Sequence, residues 1–256
     1  MKRLLSLATF STILLAAGAV AAPAKSAAPP AIDPNAVAAL KRMSATLAGA
    51  KTLTYRAESV VEVPAATGQF LTLFSSGNVA LERPNKLRAS FGGEAPRFDF
   101  FYDGETVTAY APGTKVYSKS KAPATIDEML AGLRAETGIR FASAPLLASD
   151  PYAIIARDLT SAVVVGPATV NGVECAHLAF RAPGVNWEIW VETSARTLPR
   201  RLAVTFTDEP GLPRTLVEFS RWSIDPWFGV GSFSFTPPAD AKEIPFNSVL
   251  ESADRR

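Results

Sequence analysis

The sequence predicts an α+β fold, one curved antiparallel β-sheet with helices covering its concave face. Three observations lead there. Apolar and polar residues alternate over long stretches, the period of a strand with one covered face. The dipeptides Asp103-Gly104 and Asn171-Gly172 each sit between two such stretches, as hairpin turns do. Helical periodicity is confined to the start and the middle, so the order reads helix, sheet, helices, sheet.

The elements follow in order. Met1 to Ala22 has the layout of a secretory signal: Lys2 and Arg3, an apolar run from Leu4 to Val20, and small residues Ala19 to Ala22 for cleavage. Residues 23–33 form an Ala- and Pro-rich leader, expected to be flexible. A single domain is expected over residues 34–256. Asp33-Pro34 reads as an N-cap and first helical residue. Val37, Leu40, Met43 and Leu47 share one helical stripe, and Gly49 ends it. Residues 52–63 alternate as a strand, with Leu53, Tyr55 and Ala57 opposite Thr54, Arg56 and Glu58. Residues 69–75, 78–83 and 86–91 read as three further strands. Residues 97–102 and 106–111 flank Asp103-Gly104, and the lysines of 115–119 suit an edge strand.

In the middle, Thr125-Ile126-Asp127-Glu128 is a capping box opening a helix with Ile126, Met129, Leu130 and Leu133 on one face; Gly138 is its expected stop. Asp150-Pro151 opens a second helical pattern through Ile154, Ile155 and Leu159. Strands resume at 162–170 and 173–181 around Asn171-Gly172, then at 185–192, 200–207 and 215–224. A last short strand is expected at Phe233 to Thr236.

Composition removes several classes of function. Without Met1 to Ala22 the chain has 256 − 22 = 234 residues, with 26 − 2 = 24 basic against 24 acidic. A balanced charge does not suit nucleic-acid binding. Cys175 is the only cysteine, so no internal disulfide can form, and a lipid anchor would need a Cys just after the signal. No second apolar run is long enough to span a bilayer.

Catalytic and metal-binding patterns are equally sparse. Cys175 and His177 share a strand face, but two ligands are too few for a structural zinc site. No Gly-x-Ser-x-Gly elbow and no Gly-rich phosphate loop is present. Glu188 and Glu192 share a strand face, an arrangement more typical of a solvated surface than of paired catalytic acids. The expectation is a protein that is not an enzyme, with no metal and no cofactor. Trp187 falls with Ile189 and Val191, whereas Trp190 falls with the two glutamates and is the better surface-contact residue.

Three segments resemble the periplasmic lipoprotein carriers of the LolA/LolB-like superfamily. They are Gly77 to Asn85 with its Arg-Pro-Asn, then Asp103-Gly104 with Tyr110 and Pro112, then Phe233-Ser234-Phe235-Thr236-Pro237-Pro238. The resemblance is nearest to an uncharacterised family of predicted periplasmic proteins with that fold. It implies an incomplete barrel closed by a helical lid over an apolar cavity. It also implies that Arg83 ties the lid to the barrel, its guanidinium donating to carbonyls of a lid helix. Leu87 stands where the carrier has a bulky aromatic.

Candidate cavity residues are Phe70, Leu87, Phe91, Phe98, Phe100, Tyr102, Trp187 and Phe206. Such aromatics read equally as an ordinary sheet core or as ligand lining. Apolar residues of both parities, such as Phe100 beside Phe101, favour the lining. The expected function is a periplasmic carrier that holds a lipid acyl chain or a lipidated protein, working as a monomer. The alternative is an interaction or envelope-sensor module with a filled core and an envelope protein as partner.

Overall fold

The computed structural model describes residues 32–65, 67–94, 97–137 and 141–245. The expected signal, residues 23–31 of the expected leader and the expected helix stop Gly138 lie outside them. Helix α1 spans Pro34–Gly49, with the Asp33 carboxylate accepting from Asn35 N at 2.8 Å. That bond satisfies one of the orphan amides of the first turn. Ala36, Leu40, Met43 and Leu47 recur every three or four residues and are buried against the sheet. Ahead of it, Ile32 bridges to Ala162 in parallel, so the end of the leader is already part of the fold.

Among the described residues, one sheet of twelve strands follows. Its first half is a meander of β1 (Thr52–Pro64), β2 (Phe70–Glu82), β3 (Lys86–Gly93), β4 (Phe98–Tyr102), β5 (Thr106–Ala111) and β6 (Val116–Lys121). Its second half is β7 (Ser161–Val170), β8 (Val173–Ala182), β9 (Val185–Glu192), β10 (Pro199–Phe206) and β11 (Arg214–Ile224). The halves join where β1 pairs with β11. The full order is β12-β6-β5-β4-β3-β2-β1-β11-β10-β9-β8-β7, with β12 (Lys242–Glu243) parallel to β6. Among the described residues the ends of this order do not pair, so the sheet is an unclosed barrel, as the resemblance implies. Between the halves lie α2 (Ile126–Thr137), a 3-10 turn at Ala144–Leu147, and α3 (Pro151–Ile155).

Local chemistry explains the turns. Asn171 and Gly172 both have positive φ, 49° and 78°, the pattern of a two-residue hairpin turn. The Asp103 carboxylate accepts from Glu105 N and Thr106 N at 3.0 and 2.8 Å and closes the β4–β5 turn.

Four sequence expectations change. Residues 69–75 and 78–83 are one continuous strand, β2, which runs straight through Gly77. A Cβ there would collide with the Phe91 ring and the Ser90 carbonyl, so glycine marks a close strand approach and not a break. The segment at Ala144–Leu147 forms a 3-10 turn that no periodicity announced. The β6 strand is not the outermost, since β12 pairs with part of it. Phe233 to Thr236 forms no strand; it crosses the outer face of the sheet, where Phe235 packs on Phe101, Tyr110 and Tyr117 with ring centroids 5.2 to 5.4 Å apart.

That crossing also revises the two-faced apolar pattern. Phe100 is buried on the concave face with Tyr102, whereas Phe101, one residue on, is buried outside under Phe235. At this pair the second apolar face serves the C-terminal segment and says nothing about a cavity.

Candidate functional site: an apolar cavity under a helical lid

The concave face is only partly filled by α1. Beside it, α2 and the 3-10 turn form a lid over two part-open cavities. The smaller, about 70 Å³, lies against β1–β5 and is lined by Leu87, Phe91, Phe98 and Phe100 with Tyr55, Val79, Ala89 and Ala109. The larger, about 690 Å³, lies against β8–β10 and is lined by Trp187 and Phe206 with Val185, Ile189, Leu202 and Val204. That volume is within the usual range for ligand pockets. Leu130, Leu133, Phe141 and Ala144 line both, so the lid itself is the partition. Among the described residues, charge enters the larger wall through Asp127, Arg157, Asp158 and Asp208.

Strand parity delivers these walls. Ile189 and Trp187 are two apart on β9, and Leu202 and Val204 on β10 are their registered partners. All four therefore face the lid. Trp187 stacks on Phe180 at 4.1 Å between centroids, which fixes its ring against the wall. Trp190, of the other parity, stacks on His177 at 4.0 Å on the outer face, with the Arg201 guanidinium over it.

Polar bonds fix the lid at its ends. Thr125 Oγ1 accepts from Glu128 N at 3.2 Å, and the Glu128 carboxylate accepts from Ala124 N at 3.1 Å. The box thus closes on the residue before the threonine. Ile126 N donates to the Pro84 carbonyl at 3.0 Å, and Tyr102 Oη donates to the Pro123 carbonyl at 2.8 Å. Arg83 Nη1 donates to the Leu147 carbonyl at 3.0 Å and Nη2 to the Leu47 carbonyl at 3.2 Å. Burial lowers the Arg83 pKa, and the Asp127 carboxylate acts against that. Inside the smaller cavity, burial raises the Tyr55 phenol, and a hydrogen bond with Ser143 acts the other way.

The structure sorts the sequence-predicted residues. Leu87, Phe91, Phe98 and Phe100 meet in the smaller cavity, and Trp187 and Phe206 in the larger. Tyr102 is fully buried beneath α2 and lines neither. Phe70 is a correction: it is 54% exposed, pairs with Pro64 at the end of the β1–β2 hairpin, and has the parity of the outer face. Sequence reading missed the lid residues Phe141 and Ala144, which lie outside any regular helical stripe. It also missed Ile189, Leu202 and Val204, although their shared parity with Trp187 was a usable signal.

Elsewhere the reactive side chains are engaged. His177 Nε2 lies 2.8 Å from Glu188 Oε2, and Cys175 is buried. Among the described residues no group of three or more His, Cys, Asp or Glu is placed to hold a metal. Nor is any described helix long and apolar enough to cross a membrane.

Comparison with known proteins gives distant structural likenesses and one family. A search of curated sequences finds no match. An uncharacterized conserved protein from Thermus thermophilus shares 13% identity over 82% of this chain and 99% of that one, with TM-score 0.47. The Mycobacterium tuberculosis lipoprotein LppX shares 12% over 75% and 100%, with TM-score 0.46. A LolA superfamily protein from Nitrosomonas europaea shares 7% over 78% and 97%, with TM-score 0.42. The family model for predicted periplasmic proteins designated DUF2092 matches residues 36–247, a span that takes in the sheet, the lid and both cavities. The chain therefore belongs to the DUF2092 family and is a periplasmic protein.

Proposed function

We propose that the protein holds an acyl chain, of a lipid or of a lipidated protein, in the larger cavity and carries it through the periplasm without covalent chemistry. The single observation behind this is a cavity of about 690 Å³ with a wall of Trp187, Ile189, Leu202, Val204 and Phe206 under a lid. The smaller cavity, lined by Leu87, Phe91, Phe98 and Phe100, extends the apolar surface on the other side of the partition.

Magnitudes favour binding over a permanently closed lid. Each buried methylene contributes about 0.8 kcal/mol, so ten contribute about 8 kcal/mol. Opening the lid breaks the charged Arg83–Leu147 bond, worth about 1.5–3 kcal/mol, and the Ile126–Pro84 and Tyr102–Pro123 bonds, worth about 0.5–1.5 kcal/mol each. The apolar gain exceeds their sum. The larger cavity beside β8–β10 supports this reading over an interaction module with a filled core.

The test is displacement of an environment-sensitive hydrophobic dye by fatty acids of increasing length. Affinity should rise with chain length and then level off as the cavity fills. Affinity independent of chain length would point to surface binding and count against the cavity.

A further inference from the structure

We infer that the tip of the β1–β2 hairpin is a membrane-docking element, which inserts shallowly into the apolar layer of a lipid bilayer. It goes beyond the carrier proposal and stands first on the hairpin's own exposed side chains.

Four large apolar side chains in five residues of β2 are exposed: Phe70 54%, Leu71 42%, Leu73 39% and Phe74 57%. They occupy both faces. Leu71 and Leu73 continue the parity of Leu81 and Val79, which is the concave side; Phe70 and Phe74 have the outer parity. The outer strand β3 stops at Gly93 opposite Ser75, so no described strand covers residues 70–74 on that side. Leu212, 55% exposed, lies in the β10–β11 loop, at the end of the sheet where Arg214 pairs with Glu62.

The occupant follows from area, charge and position. The four side chains expose about 400 Å² between them, roughly half of what one partner gives to a stable protein interface. A protein surface would also cover only one face at a time. A bilayer removes both faces from water together. Residues 59–74 carry one charge, Glu62, and no lysine or arginine; the Glu94 carboxylate accepts from Phe74 N, and Arg214 lies opposite Glu62 at the base, so the tip itself presents no cation to anionic headgroups. The tip also lies at the Phe206 end of the larger cavity's wall. Phe206 pairs with Val185, Thr205 with Arg214, and Arg214 with Glu62, which places two cavity-wall residues almost level with the base of the tip. Arg83 sits at the opposite end, next to Glu82, which pairs with Thr52. Glu94 pairs with Phe74 through its backbone N–H and its carboxylate, and beyond it no described strand covers the β2 edge; both limit the depth, because charged groups and unsatisfied amides are costly in hydrocarbon.

The experiment is flotation of the purified mature chain with vesicles of neutral phosphatidylcholine, and with vesicles containing anionic phosphatidylglycerol. Wild type should float with both, and salt should change little. Phe70→Glu with Phe74→Glu should reduce flotation at least tenfold while the thermal unfolding midpoint holds. Trp227→Glu is the control, since Trp227 is 87% exposed but follows Pro226, whose carbonyl is bound by Thr52 at the other end of the sheet; it should float like wild type. Equal flotation of the double variant, or no flotation of wild type on either vesicle, overturns the inference. So does a wild-type dimer that the double variant dissolves, which would make the tip a self-association surface. Dye binding in free solution separates the two proposals: if it persists while flotation fails, only the docking role falls, and in the reverse case only the cavity role.

Discussion

Arg83 donates to the Leu147 carbonyl at 3.0 Å, across 64 residues of sequence, and so ties the end of β2 to the turn that forms half of the lid. Its second bond, to Leu47, ties the same guanidinium to the last turn of α1. One planar cation thus joins three elements, which a lysine cannot do with the same geometry. Arg83→Leu should weaken lid closure by about 3 kcal/mol and leave the sheet folded. Arg83→Lys should fall between that variant and wild type. Hydrogen exchange over α2 and the 3-10 turn measures this directly. Protection unchanged in both variants would reduce Arg83 to an ordinary strand-end residue.

Acid stability is expected to depend on Glu192. Its carboxylate is buried, which alone would raise its pKa, but Arg200 at 2.8 and 2.5 Å and the Ser194 hydroxyl at 2.8 Å hold it below the ordinary 4.5. A depressed folded pKa means that the bond stabilises fully above 4.5 and that this contribution is lost as pH falls through the folded value. Unfolding by urea across about pH 3 to 7 should therefore show a loss of stability below about pH 4.5 that is smaller in Glu192→Gln. Arg200→Met should be worse at neutral pH, by about 3 kcal/mol, because it leaves a buried carboxylate without its main partner. A flat difference between Glu192→Gln and wild type across that range would remove Glu192 as the acid-sensitive group.

The outer-face cluster of His177, Trp190, Glu188 and Arg201 is expected to be structural. His177→Ala should lose a ring stack and a hydrogen bond, about 1 kcal/mol, and leave acyl binding unchanged. Thermal melts and dye titration on the same sample separate the two. A large loss of binding would show that the outer face communicates with the cavity.

Gly77→Val should destabilise strongly, because the new side chain meets both the Phe91 ring and the Ser90 backbone. The cost should be at least about 2 kcal/mol, at the upper end for overpacking, and should reach the smaller cavity, which Phe91 lines. A melting midpoint within a degree of wild type would mean that β2 and β3 can separate freely there.

Much of the fold was legible because its signals are local. Alternation marked the strands, Asn171-Gly172 and Asp103-Gly104 marked two hairpins, and Asp33, Thr125 and Asp150 marked three helix starts by side-chain capping that the structure contains. What failed depended on distant packing. Gly77 looked like a break because the close approach of Phe91 cannot be seen from its neighbours. Phe233 to Thr236 alternates like a strand, but its partner surface is the aromatic outer face of β4, β5 and β6, which offers rings and no free ladder. In the site, strand residues of known parity were within reach, whereas Phe141 and Ala144 reach the cavity through an irregular segment. Phe70 was misplaced because composition shows an apolar residue but not whether anything lies above it.

Mass spectrometry of lipids extracted from protein purified out of the periplasm shows whether the larger cavity carries an acyl chain. The expected result is a co-purified acyl species near one per protein molecule, reduced in Leu202→Trp, whose added ring would occupy the larger cavity. Protein free of lipid when purified without detergent, or an acyl species equally abundant in Leu202→Trp, would contradict it.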